Sequence, residues 1–439
     1  MRIPELIASE QSRQDEMLIS LQQDSFAYFV HKINPANGLV LDKSHSDWPA
    51  SIAAVGLALA AYPVGVERGF MTREEAVKRT LIVLKFFANA PHGPERDATG
   101  YKGFYYHFLD MNTGKRVWNC ELSSVDTAFL IAGMLIARAY YKHETEEEGE
   151  IRKLADELYR RVDWQWMQKG EAAVSHGWTP EKGFLPYQWT GYDEALILYL
   201  LGLGSPTHPL SDESYAAWTS TYKWKKIYDI EFLYAGPLFI HQLSHAWIDF
   251  RGIRDSFMRE RGSDYFENSR CATLVQQRYA ARNPLEFKHY NEYCWGITSS
   301  DGPGPVARQV DGILRVFYDY IGRGAPYGPD DGTLAPWAVV ASLPFAPDIV
   351  LPTIENYERM NLREAQKYGY KATFNPTFPV EPYHEFGWVS PYHFGLNQGP
   401  IVMMIENYRS GLLWSLMRQC PYLVTGLRRA GFRGGWLEG

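Results

Sequence analysis

At 439 residues the chain exceeds the about 250–300 that one hydrophobic core usually serves, so it forms either two domains or a single large toroid. A net charge of −7, from 44 basic and 51 acidic residues, leaves no electrostatic footprint for nucleic acid or an anionic membrane and points to a neutral partner. Cys120, Cys271, Cys294 and Cys420 are too widely spaced for a zinc cluster or a disulfide framework, whereas 14 Trp and 29 Tyr supply flat faces suited to sugar rings or to a large helical core.

Apolar residues recur at helical spacing in segment after segment, and two kinds of helix alternate. The first predicted helix, 15–32, is amphipathic and charged, and the second, 51–62, is small and apolar on nearly every face. The alternation continues with charged 72–89 and apolar 123–141, charged 150–168 and apolar 192–203, charged 212–222 and apolar 237–250. It ends with charged 263–282 and apolar 336–343, then charged 351–368 and apolar 400–417. A helix apolar all round is buried, so the pattern predicts an outer and an inner helix repeated about six times. The expected fold is an all-α (α/α)6 barrel, one domain over residues 1–439. Pro237, Pro336 and Pro400 are expected at first helical positions, where a missing N–H costs nothing. Long loops rich in glycine and aromatics, 100–122, 175–191, 288–308 and 373–399, precede several inner helices. Parallel inner helices would gather these loops at one mouth, and loops of such length are usually functional.

No run approaches the ~20 apolar residues of a membrane span, and residues 1–24 show no signal peptide. A soluble protein of the cytoplasm is expected, or of the periplasm if a leader has been trimmed away. No P-loop, Gly-x-Gly-x-x-Gly fingerprint, nucleophile elbow or zinc signature is present, so no nucleotide, metal or cofactor is expected. Oligomeric state is not legible.

Glycoside cleavage needs two carboxyl groups roughly 5 to 9.5 Å apart, one to protonate the leaving oxygen and one to activate water or attack carbon. The acids expected at the mouth are Glu121, Asp126, Asp193, Glu194, Asp301, Asp330, Asp331, Glu381 and Glu385, with Glu406 deeper in a helix. Ser123-Ser124-Val125-Asp126 has the form of a capping box, so Asp126 is either a capping group or a catalytic one. Thr190-Gly191-Tyr192-Asp193 has the same form, which assigns Asp193 to a cap and leaves Glu194 without a structural task. Amid Tyr187, Trp189 and Tyr192, burial would raise the pKa of Glu194 as a general acid requires, against the pull of the helix N-terminus. Asp301 is either a turn former or a second acid, and Glu406 is either a cleft residue or the partner of Arg409 in a buried ion pair. His241, His245 and Asp249 repeat at four-residue spacing on one helix, but a span of about 12 Å prevents all three from reaching one ion, which favours core histidines.

Several strings carry a resemblance. They are Glu121-Leu122-Ser123-Ser124-Val125-Asp126-Thr127-Ala128, Gly191-Tyr192-Asp193-Glu194-Ala195, Ser205-Pro206-Thr207-His208-Pro209 and Trp295-Gly296-Ile297-Thr298, together with Gln398-Gly399-Pro400 running on to Ile405-Glu406-Asn407-Tyr408-Arg409. From about Asp24 to Trp436 the chain resembles the bacterial glucoamylase-like proteins, which include the endo-β-1,2-glucanases of glycoside hydrolase family 144. The resemblance implies an (α/α)6 barrel without metal or cofactor that hydrolyses β-1,2-glucan to sophorose or short oligosaccharides, with inversion. It implies Glu194 as general acid and Glu121 and Asp126 as acids lining the cleft; the second catalytic carboxylate is left open between Asp126 and Asp301 among the acids expected at the mouth. Substrate contacts are expected from Glu121, Tyr187, Trp189, Tyr192, Trp295, Asn397 and Glu406. Asn397 and Ala372 stand where the family pattern suggests acids, and an amide cannot act as a base. Transglycosylation, as in the related domain of cyclic β-1,2-glucan synthases, another linkage, a sugar isomerase using His241 and His245, and a non-catalytic sugar-binding protein are the alternatives.

Overall fold

The computed structural model describes residues 3–364 and 367–438. Residues 1 and 2 of the predicted N-terminal segment, residues 365 and 366 of the predicted 351–368 helix, and residue 439 lie outside the described residues.

The helices form where apolar periodicity and caps coincide. Ser51 caps Ile52–Glu67 by accepting the Ala54 N–H, Thr72 caps Arg73–Asn89 through Glu75 N, and Ser123 caps Ser124–Tyr140 through Asp126 N. Ile52–Glu67 and Ser124–Tyr140 are buried almost throughout and pack on each other. A Cβ at Gly56 would meet the Phe129 carbonyl oxygen at 2.3 Å, and one at Gly133 would meet the Gly56 carbonyl oxygen at 2.2 Å. Only glycine at both positions lets the two backbones approach this closely.

Neighbouring buried helices follow chain order. Ser124–Tyr140 also packs on Leu196–Leu203, Pro336–Val340 packs on Gly395–Arg409, and Gly395–Arg409 returns to Ile52–Glu67. A charged outer layer covers them. Ile3–His31 lies on Gly395–Arg409, Glu146–Arg161 on Ser124–Tyr140, Tyr265–Arg282 on the short turn Leu238–His241, and Pro347–Arg359 on Pro336–Val340.

Several boundaries differ from the sequence expectation, each for a local reason. The predicted 192–203 helix begins only at Leu196, because Oδ1 of Asp193 takes the Ala195 N–H and closes a turn first. The predicted 237–250 helix is a 3-10 turn, Leu238–His241, followed by Leu243–Trp247, with Pro237 preceding the first. Pro336 does occupy a first-turn position, but Pro400 lies inside Gly395–Arg409, which starts earlier than predicted. Gly411, at φ 69°, then separates that helix from Leu412–Arg418. The outer helix over Leu196–Leu203 is Pro421–Arg429, which the helical pattern did not assign, and 212–222 shortens to Ser214–Thr219.

The all-α expectation is corrected to a helix-rich fold with short antiparallel strand pairs. Five of these strands join in one sheet, in the order Gly100–Tyr101, Phe104–Tyr106, Leu122–Ser123, Gly177–Thr179 and Gly183–Phe184. Two hairpins are built on paired left-handed residues: Trp224–Ile227 with Ile230–Leu233 turns at Tyr228-Asp229, and Val306–Val310 with Ile313–Phe317 turns at Asp311-Gly312. No described helix is long and apolar enough to cross a membrane.

Candidate active site

The N-terminal ends of the buried helices converge on one cavity of about 360 Å3. Ser123 and Asp126 reach it from the start of Ser124–Tyr140, Glu194 from the turn before Leu196–Leu203, Trp337 from Pro336–Val340, and Leu396 and Asn397 from Gly395–Arg409. The five-stranded sheet supplies the facing wall. His107 follows Phe104–Tyr106, Glu121 precedes Leu122–Ser123 and His176 precedes Gly177–Thr179, and the backbone N–H of His107 donates to the Glu121 carbonyl at 3.0 Å.

Glu194 is the acid that burial alters most usefully. Its surface is partly accessible and lines the cavity, whose wall also carries Phe129, Phe239, Leu243 and Trp337. Burial first, then the neighbouring Asp193 carboxyl, with a further push from Asp126, raise its pKa to about 8. Asp193 is raised to about 7, chiefly by burial, against bonds donated by Trp218 Nε1 (2.9 Å) and the Ala195 N–H (3.0 Å). Near neutral pH this turn therefore keeps a proton on Glu194.

Opposite stands a chain of acids about one imidazole. Nδ1 of His107 lies 2.9 Å from Oε1 of Glu121, and Nε2 lies 3.6 Å from Oδ2 of Asp126. Burial disfavours charge on His107, but Asp126, Glu121 and Asp42 together outweigh it and raise the pKa to about 9. Burial pulls Glu121 upward, yet the bond and charge of His107 leave it below the usual carboxylate range. Asp126 also accepts the Ser123 hydroxyl at 2.5 Å, while that hydroxyl oxygen accepts the Asp126 N–H. Ser123 is thus the cap, and the Asp126 carboxylate lines the cavity. Trp189 donates its indole N–H to Ser124 Oγ at 2.9 Å and stacks on His176 with centroids 3.8 Å apart.

Glu121, Asp126, Trp189, Glu194 and Asn397 are therefore brought together as the sequence suggested. The other expected contacts lie elsewhere. Trp295 is 0% exposed, donating to Thr353 Oγ1, so it is a core residue rather than a sugar platform. Glu406 is buried and held by Arg68 through bonds of 2.6 and 2.7 Å, so it is half of an ion pair whose partner is Arg68, not Arg409. Tyr192 is buried among Trp218, Tyr222, Tyr265 and His241, and Tyr187 is exposed beside His176 without lining the cavity. Asp301 does not line it either. Its carboxylate accepts the Ser390 hydroxyl at 2.6 Å, and burial, the largest influence, raises its pKa.

Sequence reasoning missed four contributors: His107, His176, Tyr320 and Asp42. Tyr320 lines the cavity while 60% exposed. Burial, then the charges of Asp42, Glu194, Asp301 and Asp126, raise its pKa. Asp42 is buried, accepts the Trp48 indole N–H at 3.0 Å, and is raised to about 6 mainly by burial. His107 and His176 lie in the long loops 100–122 and 175–191, whose length is their only signal in the sequence.

His241 and His245 are fully buried outside the cavity, where burial lowers them to about 4 and about 3, so they are core histidines without access to a sugar. Ala372 is buried against the Tyr392 carbonyl and does not reach the cavity. A larger depression of about 480 Å3 lies between Arg138, Lys142, Arg152 and Asp156, but its charged groups are tied to protein partners, as in Arg138–Asp156 at 3.2 Å. Among the described residues no three His, Cys, Asp or Glu side chains are grouped to hold a metal ion.

Residues 186–421, more than half of the chain, match the family profile described as "Putative glucoamylase". The chain belongs to this glucoamylase-like family. It is 30% identical, over 94% of its length, to an exo β-1,2-glucooligosaccharide sophorohydrolase (non-reducing end) of Parabacteroides distasonis. The chain spans 58% of the length of that curated relative. Among solved glucoamylase-like structures it is similar to a "putative glucoamylase" from Bacteroides uniformis, with 31% identity, a TM-score of 0.85, and 97% of this chain and 98% of that one covered. An endo-β-1,2-glucanase from Chitinophaga pinensis, in complex with sophorotriose and glucose, gives 26% identity and a TM-score of 0.83 over 97% of this chain and 99% of that one.

Proposed function

We propose that the protein is a glycoside hydrolase that cleaves β-1,2-linked glucose chains, with Glu194 as the general acid. The observation that carries the reading is the Glu194 carboxyl, raised to about 8 within a cavity that other acids and aromatic rings surround. Relatives named for β-1,2-glucan supply the substrate class. The buried and covering helices support an (α/α)6 barrel, and a main core that draws residues from Leu18 to Leu437, beside two small satellite clusters, supports a single catalytic domain over residues 1–439.

In this mechanism Glu194 gives its proton to the glycosidic oxygen as the bond from that oxygen to C1 breaks. A water attacks C1 from the opposite face and yields a proton to a second carboxylate, so the course is inversion. Asp126 is the favoured base because it lines the same cavity, and Asp301 is the reserve candidate because Ser299, two residues before it, reaches that lining. Trp189, Tyr320 and Asn397 contact the sugar, and Glu121 holds His107 against Asp126. A neutral oligo- or polysaccharide is the partner this reading implies.

Incubation with linear β-1,2-glucan should release reducing ends, and Glu194→Gln should abolish the release. Absence of any release by the unaltered protein would overturn the reading.

A further inference from the structure

The wall of the cavity continues outward as a connected row of rings. His107, which lines the cavity, stacks on Phe108 with centroids 4.0 Å apart and planes at 11°. Phe108 lies 5.2 Å from Trp118, and Trp118 meets Trp48 edge to face at 4.9 Å. Trp48 is fixed by its bond to Asp42 and by Lys43, whose Nζ stands 3.6 Å over the indole.

Trp118 is 56% exposed, and its backbone is held where its residue type does not favour it. Trp118 and Asn119 have φ of 56° and 49°, so two consecutive non-glycine residues are left-handed at the centre of a turn closed by Cys120 N–H donating to the Val117 carbonyl. Such a turn ordinarily takes glycine, asparagine or aspartate at its first central position, and tryptophan there is strained. Arg116 enforces it: Nε donates to the Cys120 carbonyl at 2.6 Å and Nη2 to the Asn119 carbonyl at 2.7 Å, while Glu181 fixes the guanidinium from behind. A buried arginine thus sustains a strained turn whose product is an exposed indole beside the cavity. Strain maintained in this way points to a use outside the fold.

We propose that Trp118, backed by Phe108 and Trp48, is an outer platform that stacks against a glucose ring of the substrate chain remote from the bond being cleaved. The indole face is apolar and rigid, and the axial C–H face of a pyranose complements it without needing charge. Trp118 is a specificity-determining residue for chain length. The inference rests on the glucan-hydrolase reading and refines its substrate to chains long enough to span the cavity and this platform.

The test compares the native protein, Trp118→Ala and Trp118→Tyr on β-1,2-glucan and on the shortest oligosaccharide cleaved. Trp118→Ala should raise KM for the polymer by about tenfold, equal to ~1.4 kcal/mol. KM for the shortest substrate and kcat on both should stay the same, and Trp118→Tyr should restore most of the loss. Equal KM for the polymer in native and Trp118→Ala proteins, or equal losses on long and short substrates, would overturn the platform. If the native protein cleaves no β-1,2-glucan, the functional reading fails and the platform is judged separately. Intrinsic fluorescence titrations with β-1,2-, β-1,3- and β-1,4-glucan should then show binding that Trp118→Ala weakens, and no difference between the two proteins would overturn it.

Discussion

Nδ1 of His107 lies 2.9 Å from Oε1 of Glu121, and the same ring turns Nε2 towards Asp126. One imidazole thereby sets the spacing of two cavity acids, so its loss should disturb chemistry more than binding. His107→Gln should lower kcat by about 10- to 100-fold with a smaller change in KM, because misplacing a reacting group costs rate. Steady-state kinetics check this, and an unchanged kcat would remove His107 from the site.

The same ring links stability to pH. Its pKa in the folded chain, about 9, exceeds the unfolded value near 6.5, so its stabilising contribution is complete below pH 6.5 and is lost as pH rises through about 9. Asp193 and Glu194, raised to about 7 and about 8, lose stability over part of the same range. His107→Gln isolates the imidazole: between pH 6 and 9.5 the unfolding free energy of the native protein should fall further than that of the variant. Equal falls in urea denaturation would contradict the assignment.

Glu194 must hold a proton to act as an acid, so kcat/KM should decline as pH rises through about 8. The Asp193 carboxyl contributes to that high value. Asp193→Asn keeps an oxygen for the Trp218 and Ala195 N–H groups but removes the charge, and the alkaline limb should move to lower pH. A pH–rate profile for both proteins tests the coupling, which a superimposable limb would refute.

Glu406 and Arg68 form a two-pronged pair far from the cavity, with the acid 1% exposed. Glu406→Gln should destabilise the protein by ~3 kcal/mol, the lower end of the range for a broken buried pair because Arg68 retains some solvent. KM should not change. A thermal melt and a KM measurement together separate this role from a substrate contact.

Arg323 is wholly buried against Asp331 and donates to the carbonyls of Ser300, Tyr318 and Asp319, so it braces the segments that present Asp301 and Tyr320. Arg323→Lys cannot reproduce a fork of five donors. It should lower the melting temperature and also kcat, measured at a temperature where the variant remains folded; full activity there would show that Tyr320 needs no such brace.

Much of the helical scaffold was legible because its signals are local. Thr72, Ser51 and Ser123 each cap a helix within one residue of the predicted start, since a hydroxyl before an apolar run both satisfies an N–H and marks the boundary. The strands were less legible: most are only two or three residues long, too short to show alternation. Asp311-Gly312 was an available hairpin signal in the stretch Val306 to Phe317 and went unread. At the site, Glu194 stood out because Asp193 reads as a helix cap, but the structure corrects the reason: Asp193 closes a turn on the Ala195 N–H, and the helix that follows has no side-chain cap. Trp295 and Tyr192 misled because an aromatic beside a glycine-rich loop reads alike whether its ring turns to the cavity or to the core.

By itself the sequence determined the succession of buried and charged helices, the caps that start them, and a shortlist of acids, because each depends on neighbours a few positions apart. Only the tertiary structure decided which acids share a cavity. Glu194 and Asp126 come from different helix starts, His107 and Glu121 from the edges of two strands, and Arg68 claims Glu406 across 338 positions. Proton affinity in such a site follows from burial and through-space charge, and neither quantity exists until the chain is folded.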